Sequence, residues 1–239
     1  MTRWTGPLAG AALVALGLSS PAHAVSTTFD FTTGGSNIGT GMATFTSGVH
    51  SVDVYAINTE SPTPPPFVTQ NGDGVGVSFD GEVDFGLDPV GEVDNIGYDE
   101  ALVFDFGNLA SFGSTAVTAA FPPCVKFFIK ICGADDDWEI YGSNDSSVTT
   151  YTSGSLDDFK SLGTLLAYED DDTVVDLTGI EEQYRYLIAT TKTKDAFKGK
   201  DGFRIASATV DIIPLPMGLP LVASAFGLAA LVRARRARG

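Results

Sequence analysis

Histidine and cysteine are almost missing from this 239-residue chain, with two of each. His23 lies in an N-terminal apolar segment, so His50 is the single imidazole in the rest of the chain. A His-rich zinc site is therefore excluded, and a Ser-His-Asp triad would have to use His50. Its place between Val49 and Ser51, at the start of a strand-like pattern, predicts an exposed strand edge rather than a catalytic base. Basic residues are few as well: 14 Lys and Arg stand against 30 Asp and Glu. All 30 acids fall within residues 25–211, together with nine basic residues, so this stretch carries a net charge of −21. Such a surface repels nucleic acid and anionic lipid headgroups, and no nucleic-acid partner is expected. The chain also lacks a P-loop, a G-x-S-x-G elbow and a dinucleotide fingerprint. No enzymatic activity is expected of it.

The two ends carry the apolar runs. Arg3 gives a positive start, Leu8 to Leu18 a short apolar core, and Ala22-His23-Ala24 an A-x-A cleavage signature. Residues 1–24 thus read as a signal peptide cut after Ala24. At the other end, Ile213-Pro214-Leu215-Pro216-Met217 leads into an uncharged run that ends in Arg233, Arg235, Arg236 and Arg238. Leu215 to Val232 is 18 residues. As a helix it would span roughly 27 Å, just short of a hydrocarbon core of about 30 Å. Pro214 and Pro216 disfavour helix before them, which predicts a transmembrane helix over about residues 217–232. The arginines sit at one end only, so the positive-inside bias puts Gly239 in the cytoplasm and the body outside it.

This order of features resembles the PEP-CTERM class of bacterial sorting signals, most closely its VPLPA-type variant. The motif falls on Ile213, Pro214, Leu215, Pro216 and Met217, with isoleucine for valine and methionine for alanine. The resemblance covers about a tenth of the chain, residues 212–239. It implies recognition by an exosortase-like membrane transpeptidase and removal of the tail. It further implies delivery to the cell surface or extracellular matrix of a Gram-negative bacterium, after tethering in the inner membrane through the helix. A plain single-pass anchor that is never cut is the alternative.

Between the ends, β-branched and aromatic residues alternate with polar ones, punctuated by Gly, Asn, Asp and Pro. Candidate strands are Thr27–Phe31, Val49–Ile57, Gly74–Phe79, Ala101–Phe106, Ala116–Phe121, Trp138–Tyr141, Leu162–Tyr168, Thr173–Leu177, Tyr184–Thr190 and Phe203–Ile213. Val52, Val54 and Ala56 share one face, as do Leu102, Phe104 and Phe106. No stretch shows a helical stripe of three turns. Glu60 to Phe67, with prolines at 62, 64, 65 and 66, reads as an extended surface loop. Residues 25–211 are thus expected to form one all-β domain, a jelly-roll or Greek-key sandwich.

Two local likenesses sharpen that expectation. Gly74-Val75-Gly76-Val77, then Gly91-Glu92-Val93-Asp94-Asn95, then Asp99 to Phe106 resembles a recurrent element of exported PEP-CTERM-type proteins. There the body is a jelly-roll-like domain of unassigned role. Asp137 to Asp145, containing Gly142-Ser143-Asn144-Asp145, is similar to a strand-and-turn of galactose-binding-like sandwiches. Glu92 and Glu100 read as strand-edge acids capping turns.

Cys124 and Cys132 form an even pair in an exported body, which favours a disulfide. A straight strand between them would hold them about 26 Å apart. Pairing therefore needs the chain to double back near Phe127-Phe128, and two separate thiols are the alternative. For cations, Asn71 to Gly76 with Glu82 superficially tracks an EF-hand loop. Val75 stands where an oxygen is required and no flanking helices are evident, so the EF-hand is rejected. Asp135, Asp136 and Asp137, and the run Glu169 to Asp172, are solvated loops by the plainer reading and calcium ligands by the sharper one. No other cofactor is expected. Lys192, Lys194, Lys198 and Lys200 form a basic patch that either neutralises the acidic body locally or meets an extracellular polysaccharide. The leading expectation is a non-enzymatic envelope or matrix protein. The alternative is a carbohydrate-binding module with a structural calcium ion, and a glycan hydrolase using paired carboxylates is a distant third.

Overall fold

Alternation dictates the strands. In a pleated strand successive side chains point to opposite faces, and residues 52–57 obey this: Val52, Val54 and Ala56 enter one buried cluster, Ile57 another. The computed structural model describes residues 25–33, 38–60, 63, 65–79, 92–94, 99–111, 116–120, 137–170, 174–177, 180, 182–192 and 202–212. Within them Ser26–Ile212 forms one compact unit. The chain is all-β there, with two short helices.

The strands are β1 (Val25–Asp30), β2 (Gly39–Thr40), β3 (Met42–Ser47), β4 (His50–Asn58), β5 (Phe67–Asn71), β6 (Gly74–Ser78) and β7 (Val93–Asp94). They continue with β8 (Glu100–Ser111), β9 (Ala116–Ala120), β10 (Asp137–Ser143), β11 (Thr164–Asp170), β12 (Val174–Asp176), β13 (Gln183–Thr191) and β14 (Gly202–Ile212). A 3-10 turn, Ser146–Thr149, and a one-turn helix α1, Leu156–Lys160, lie between β10 and β11.

Two antiparallel sheets result. The first runs β3-β4-β8-β13-β10-β11. The second is built on β14, which pairs β9 on one side and β6 on the other at Ile205. It also takes up β1 and β7, while β5 and β2 extend from β6 and β12 from β9. The far end of β14 joins the sheets, with Asp211 opposite Ser111 and Ile212 opposite Ala110 in β8.

The main core is shared by both sheets. Phe29 and Phe31 come from the β1 side, Leu102, Phe104 and Phe106 from β8, and Trp138 and Phe203 from β10 and β14. Phe31 meets Phe45 edge-on at 4.9 Å and lies 5.5 Å from Phe104. Trp138 and Phe203 are 5.4 Å apart. These spacings suit tilted aromatic pairs, which are favoured over flat stacking.

The outer face of the first sheet has a second, smaller core. Ala101, Val103, Tyr186 and Ile188 are covered there by Val148, Leu156 and Phe159 from the β10–β11 crossover. Hence residues 101–106 are all buried, although one strand face normally meets solvent in an antiparallel sandwich.

Every candidate strand read from the sequence has an observed counterpart. Four strands were not among those candidates: β2, β3, β5 and β7. Phe67 opens β5 instead of closing a loop, and Val93–Asp94 pairs with Gly202 and Phe203. Residues 1–24 and 213–239 lie outside the described residues, and with them the signal and tail. Among the described residues no helix is long and apolar enough to cross a membrane.

Candidate functional site

The β10–β11 crossover also makes a cleft. It leaves β10 through the Gly142-Ser143-Asn144-Asp145 turn, whose polar side chains are fully committed to local structure. The Asn144 amide donates to the Gln183 carbonyl at 3.0 Å, and its oxygen accepts from the Arg185 N–H at 2.8 Å. Ser143 donates its hydroxyl to the Leu162 carbonyl at 2.6 Å. Asp145 caps the 3-10 turn, accepting from the Ser147 N–H at 2.9 Å. Gly142 is required because a Cβ there would stand 2.5 Å from the Tyr184 ring. The turn resembling a sugar-binding sandwich thus acts as a clamp that fixes the start of the crossover on β13.

The clamped segment runs through Thr149, Thr150, Tyr151 and Thr152, and these residues form one wall of the cleft. Tyr55 and Ile57 on the outer face of β4 form the floor, with Asn58 at its end. Gly41 sets the far rim. Its φ of +73° lies in the left-handed region, where glycine is at ease. Its N–H donates to the Pro66 carbonyl at 2.9 Å, and its carbonyl accepts from the Ala56 N–H at 3.0 Å. The cleft holds about 350 Å³, near the lower end of small-molecule sites.

Its chemistry is hydroxylic and aromatic. No Asp, Glu, Lys, Arg or His is among its described lining residues. Tyr151 is braced by Phe159, ring to ring at 5.0 Å, and its hydroxyl reaches the Ser155 carbonyl at 3.4 Å. Burial pushes the Tyr55 phenol above its ordinary pKa, reinforced by Asp53 and Asp105. Burial, then Asp158, does the same for Tyr151. Both phenols keep their protons at neutral pH; Tyr151 directs its proton to the Ser155 carbonyl and offers its oxygen as an acceptor.

Beside the cleft an ion pair is locked. Arg185 donates from Nε and Nη2 to the two Asp105 oxygens, both at 2.8 Å. Asp105 also accepts from the Gly107 N–H at 2.7 Å. The guanidinium stands 4.9 Å from the Tyr186 ring centre. The irregular register between Tyr184 and Tyr186 allows Arg185 to reach this face. With its oxygens so engaged, Asp105 serves the sheet.

The residues singled out from the sequence are scattered. His50 sits opposite Ser47 at the tip of the β3–β4 hairpin, where Gly48 adopts a φ of +61°. Asn71 and Asp73 form the β5–β6 turn, and Asn71 accepts from the N–H groups of Asp73 and Gly74. That local turn is consistent with rejecting an EF-hand. Glu100 opens β8 opposite Asn58 of β4, and is buried along with Glu92 and Asp99. The backbone carbonyls there are engaged: Thr59 bonds the Asp99 carbonyl twice and Thr190 bonds that of Glu100. Lys192 lies over the Tyr168 ring at 4.4 Å and donates to its hydroxyl at 2.9 Å.

Several residues of the earlier readings lie outside the described ones. They are Ala22, Ala24, Glu82, Cys124, Cys132, Asp135, Asp136, Asp171, Asp172, the motif from Ile213 to Met217, Arg233, Arg235, Arg236, Arg238, Lys194, Lys198 and Lys200. Asp137 opens β10 opposite Asp170. Among the described residues no group of three His, Cys, Asp or Glu is placed to hold a metal ion. The cleft residues were missed because their signal is ordinary. Tyr55 falls on the polar face of a strand, and Ser146 to Gly154 reads as a plain Ser/Thr-rich loop. No family model and no curated protein matches the chain.

Proposed function

We propose that the chain is a non-enzymatic exported protein of the cell envelope or extracellular matrix, with a β-sandwich as cargo. In this reading an exosortase-like transpeptidase recognises Ile213 to Met217 and removes the tail. The observation that carries it is the compact all-β unit Ser26–Ile212, which lies between the A-x-A signature and the sorting motif. Its described strands run from Val25 to Ile212, between the two terminal sequence signals. A disposable leader and tail require a body with a core of its own, and the two sheets share one between Phe29 and Ile212. The finer topology we propose is jelly-roll or galactose-binding-like, in keeping with the two antiparallel sheets and the clamped turn after β10. Intact-mass analysis of the mature protein from its own host tests the processing. A species cut at both ends is expected. A population ending at Gly239, with no shortened form, would leave a simple anchor instead.

A second reading, a carbohydrate-binding module, draws support from the Tyr55–Tyr151 cleft. The same cleft offers no described carboxylate pair for glycoside hydrolysis.

A further inference from the structure

We infer that the cleft between β4 and Thr149–Thr152 binds a short segment of a neutral glycan. This rests on the carbohydrate-binding reading and specifies its site and ligand class. Three observations converge. First, two tyrosines from separate elements line one cleft, each with a rigid ring and a polar tip. Such side chains give large contact area at little entropic cost. A pyranose offers the matching surface, with C–H groups on one face and hydroxyls around its edge.

Second, the rest of the lining supplies hydroxyl-matching groups without charge. Thr40, Thr149, Thr150 and Thr152 each bring one hydroxyl, and Asn58 closes the floor. A hydroxyl both donates and accepts, so it suits a ligand whose groups do the same. Thr149 and Thr150 spend their protons on the Ser146 and Ser147 carbonyls, which leaves their oxygens turned to acceptor duty.

Third, electrostatics selects against anions. The body carries −21, and no described lining residue is cationic. A uronate or sulfate would enter against that field with nothing to pair it. A volume of about 350 Å³ suits a monosaccharide or disaccharide unit rather than a long chain. The open, shallow shape predicts weak single-site binding, which a matrix protein turns into useful attachment through many copies on one polymer.

The test is a glycan array bearing neutral glucans, galactans and mannans beside uronate- and sulfate-bearing polysaccharides. It is probed with the mature protein purified from its own host. Binding to at least one neutral glycan is expected, unchanged by chelator. Thr152→Arg and Thr40→Arg place a long side chain into the cleft from exposed positions on opposite rims. Each should weaken binding at least tenfold, and Tyr151→Ala at least fivefold, with the thermal midpoint of the Arg variants unchanged. Val49→Arg, on the exposed hairpin tip, should bind as the parent does. Silence across the array, binding confined to anionic glycans, or neutral binding that survives both Arg variants would each overturn the site. Of these, neutral binding that survives the variants overturns the site alone and leaves the carbohydrate-binding reading standing elsewhere on the sandwich, whereas silence overturns both.

Discussion

Tyr141 shows how much one residue can reveal about burial. Its hydroxyl donates to Glu139 Oε2 at 2.7 Å, and the same oxygen meets the Lys160 ammonium at 2.7 Å. The Lys160 and Glu139 side chains are only 8% and 13% exposed, so the ion pair is largely removed from water. A pair so placed stabilises little in net terms, but losing one partner would strand the other. Burial, the hydrogen bond to Glu139 and that residue's charge all push the Tyr141 phenol far above its ordinary value. A raised pKa means the native state holds the proton where the unfolded chain, near pH 10, gives it up. Stability is therefore fully present below about pH 10 and falls as pH rises beyond it. Urea midpoints measured from about pH 8 to 11 should decline along the alkaline limb. Tyr141→Phe should lower the midpoint at neutral pH yet flatten that decline. An unchanged slope in the variant would assign the alkaline loss to other groups, such as Tyr186, whose phenol burial also raises.

At the scale of elements, legibility followed periodicity. β4 and β8 were readable because Val52, Val54, Ala56 and Leu102, Phe104, Phe106 face one core, and a period of two marks that without help from the rest of the fold. β3 was not, because Met42, Thr44 and Thr46 are exposed and only Ala43 and Phe45 pack inward. β7 is too short to show a period, and it exists through its pairing with β14. The crossover was harder still. Leu156 and Phe159 form a stripe only one turn long, and Val148 is a lone apolar residue among Ser and Thr. Yet its start signal was present: Ser155 and Asp158 make a capping box, with Ser155 Oγ accepting from the Asp158 N–H at 3.1 Å. The reciprocal bond from the Ser155 N–H to Asp158 is 3.2 Å. A one-turn helix cannot stand on propagation, so its cap matters more than in a long one. Ser155→Ala should cost about 1 kcal/mol by chemical denaturation. Because α1 roofs the second core beside Tyr151, amide exchange should speed up across residues 146–162 and stay unchanged in β14. Uniform loss of protection would instead make the crossover part of the main cooperative unit.

For the whole molecule the governing fact is charge. The sequence showed it plainly, as 30 acids confined to residues 25–211. Two ion pairs brace the first sheet: Lys160 of α1 with Glu139 of β10, and Arg185 of β13 with Asp105 of β8. A net −21 over one domain keeps it soluble and opposes compaction through self-repulsion. Screening should relieve that strain, since the Debye length shrinks from about 30 Å at 0.01 M to about 10 Å at 0.1 M salt. The thermal midpoint should thus climb smoothly with sodium chloride, at roughly 2–4 °C per kcal/mol recovered. The calcium reading predicts a different curve. A built site with six or more oxygens would saturate, giving a step at low calcium that sodium at matched ionic strength does not reproduce. Screening alone gives no step specific to calcium at matched ionic strength. We expect the smooth curve for sodium and a calcium response that scales with ionic strength. A saturating step would overturn it, and would direct attention to the acids of 135–137 and 169–172. The glycan experiment with chelator then becomes the companion measurement, because a cation needed for folding and a cation needed at the cleft would separate there.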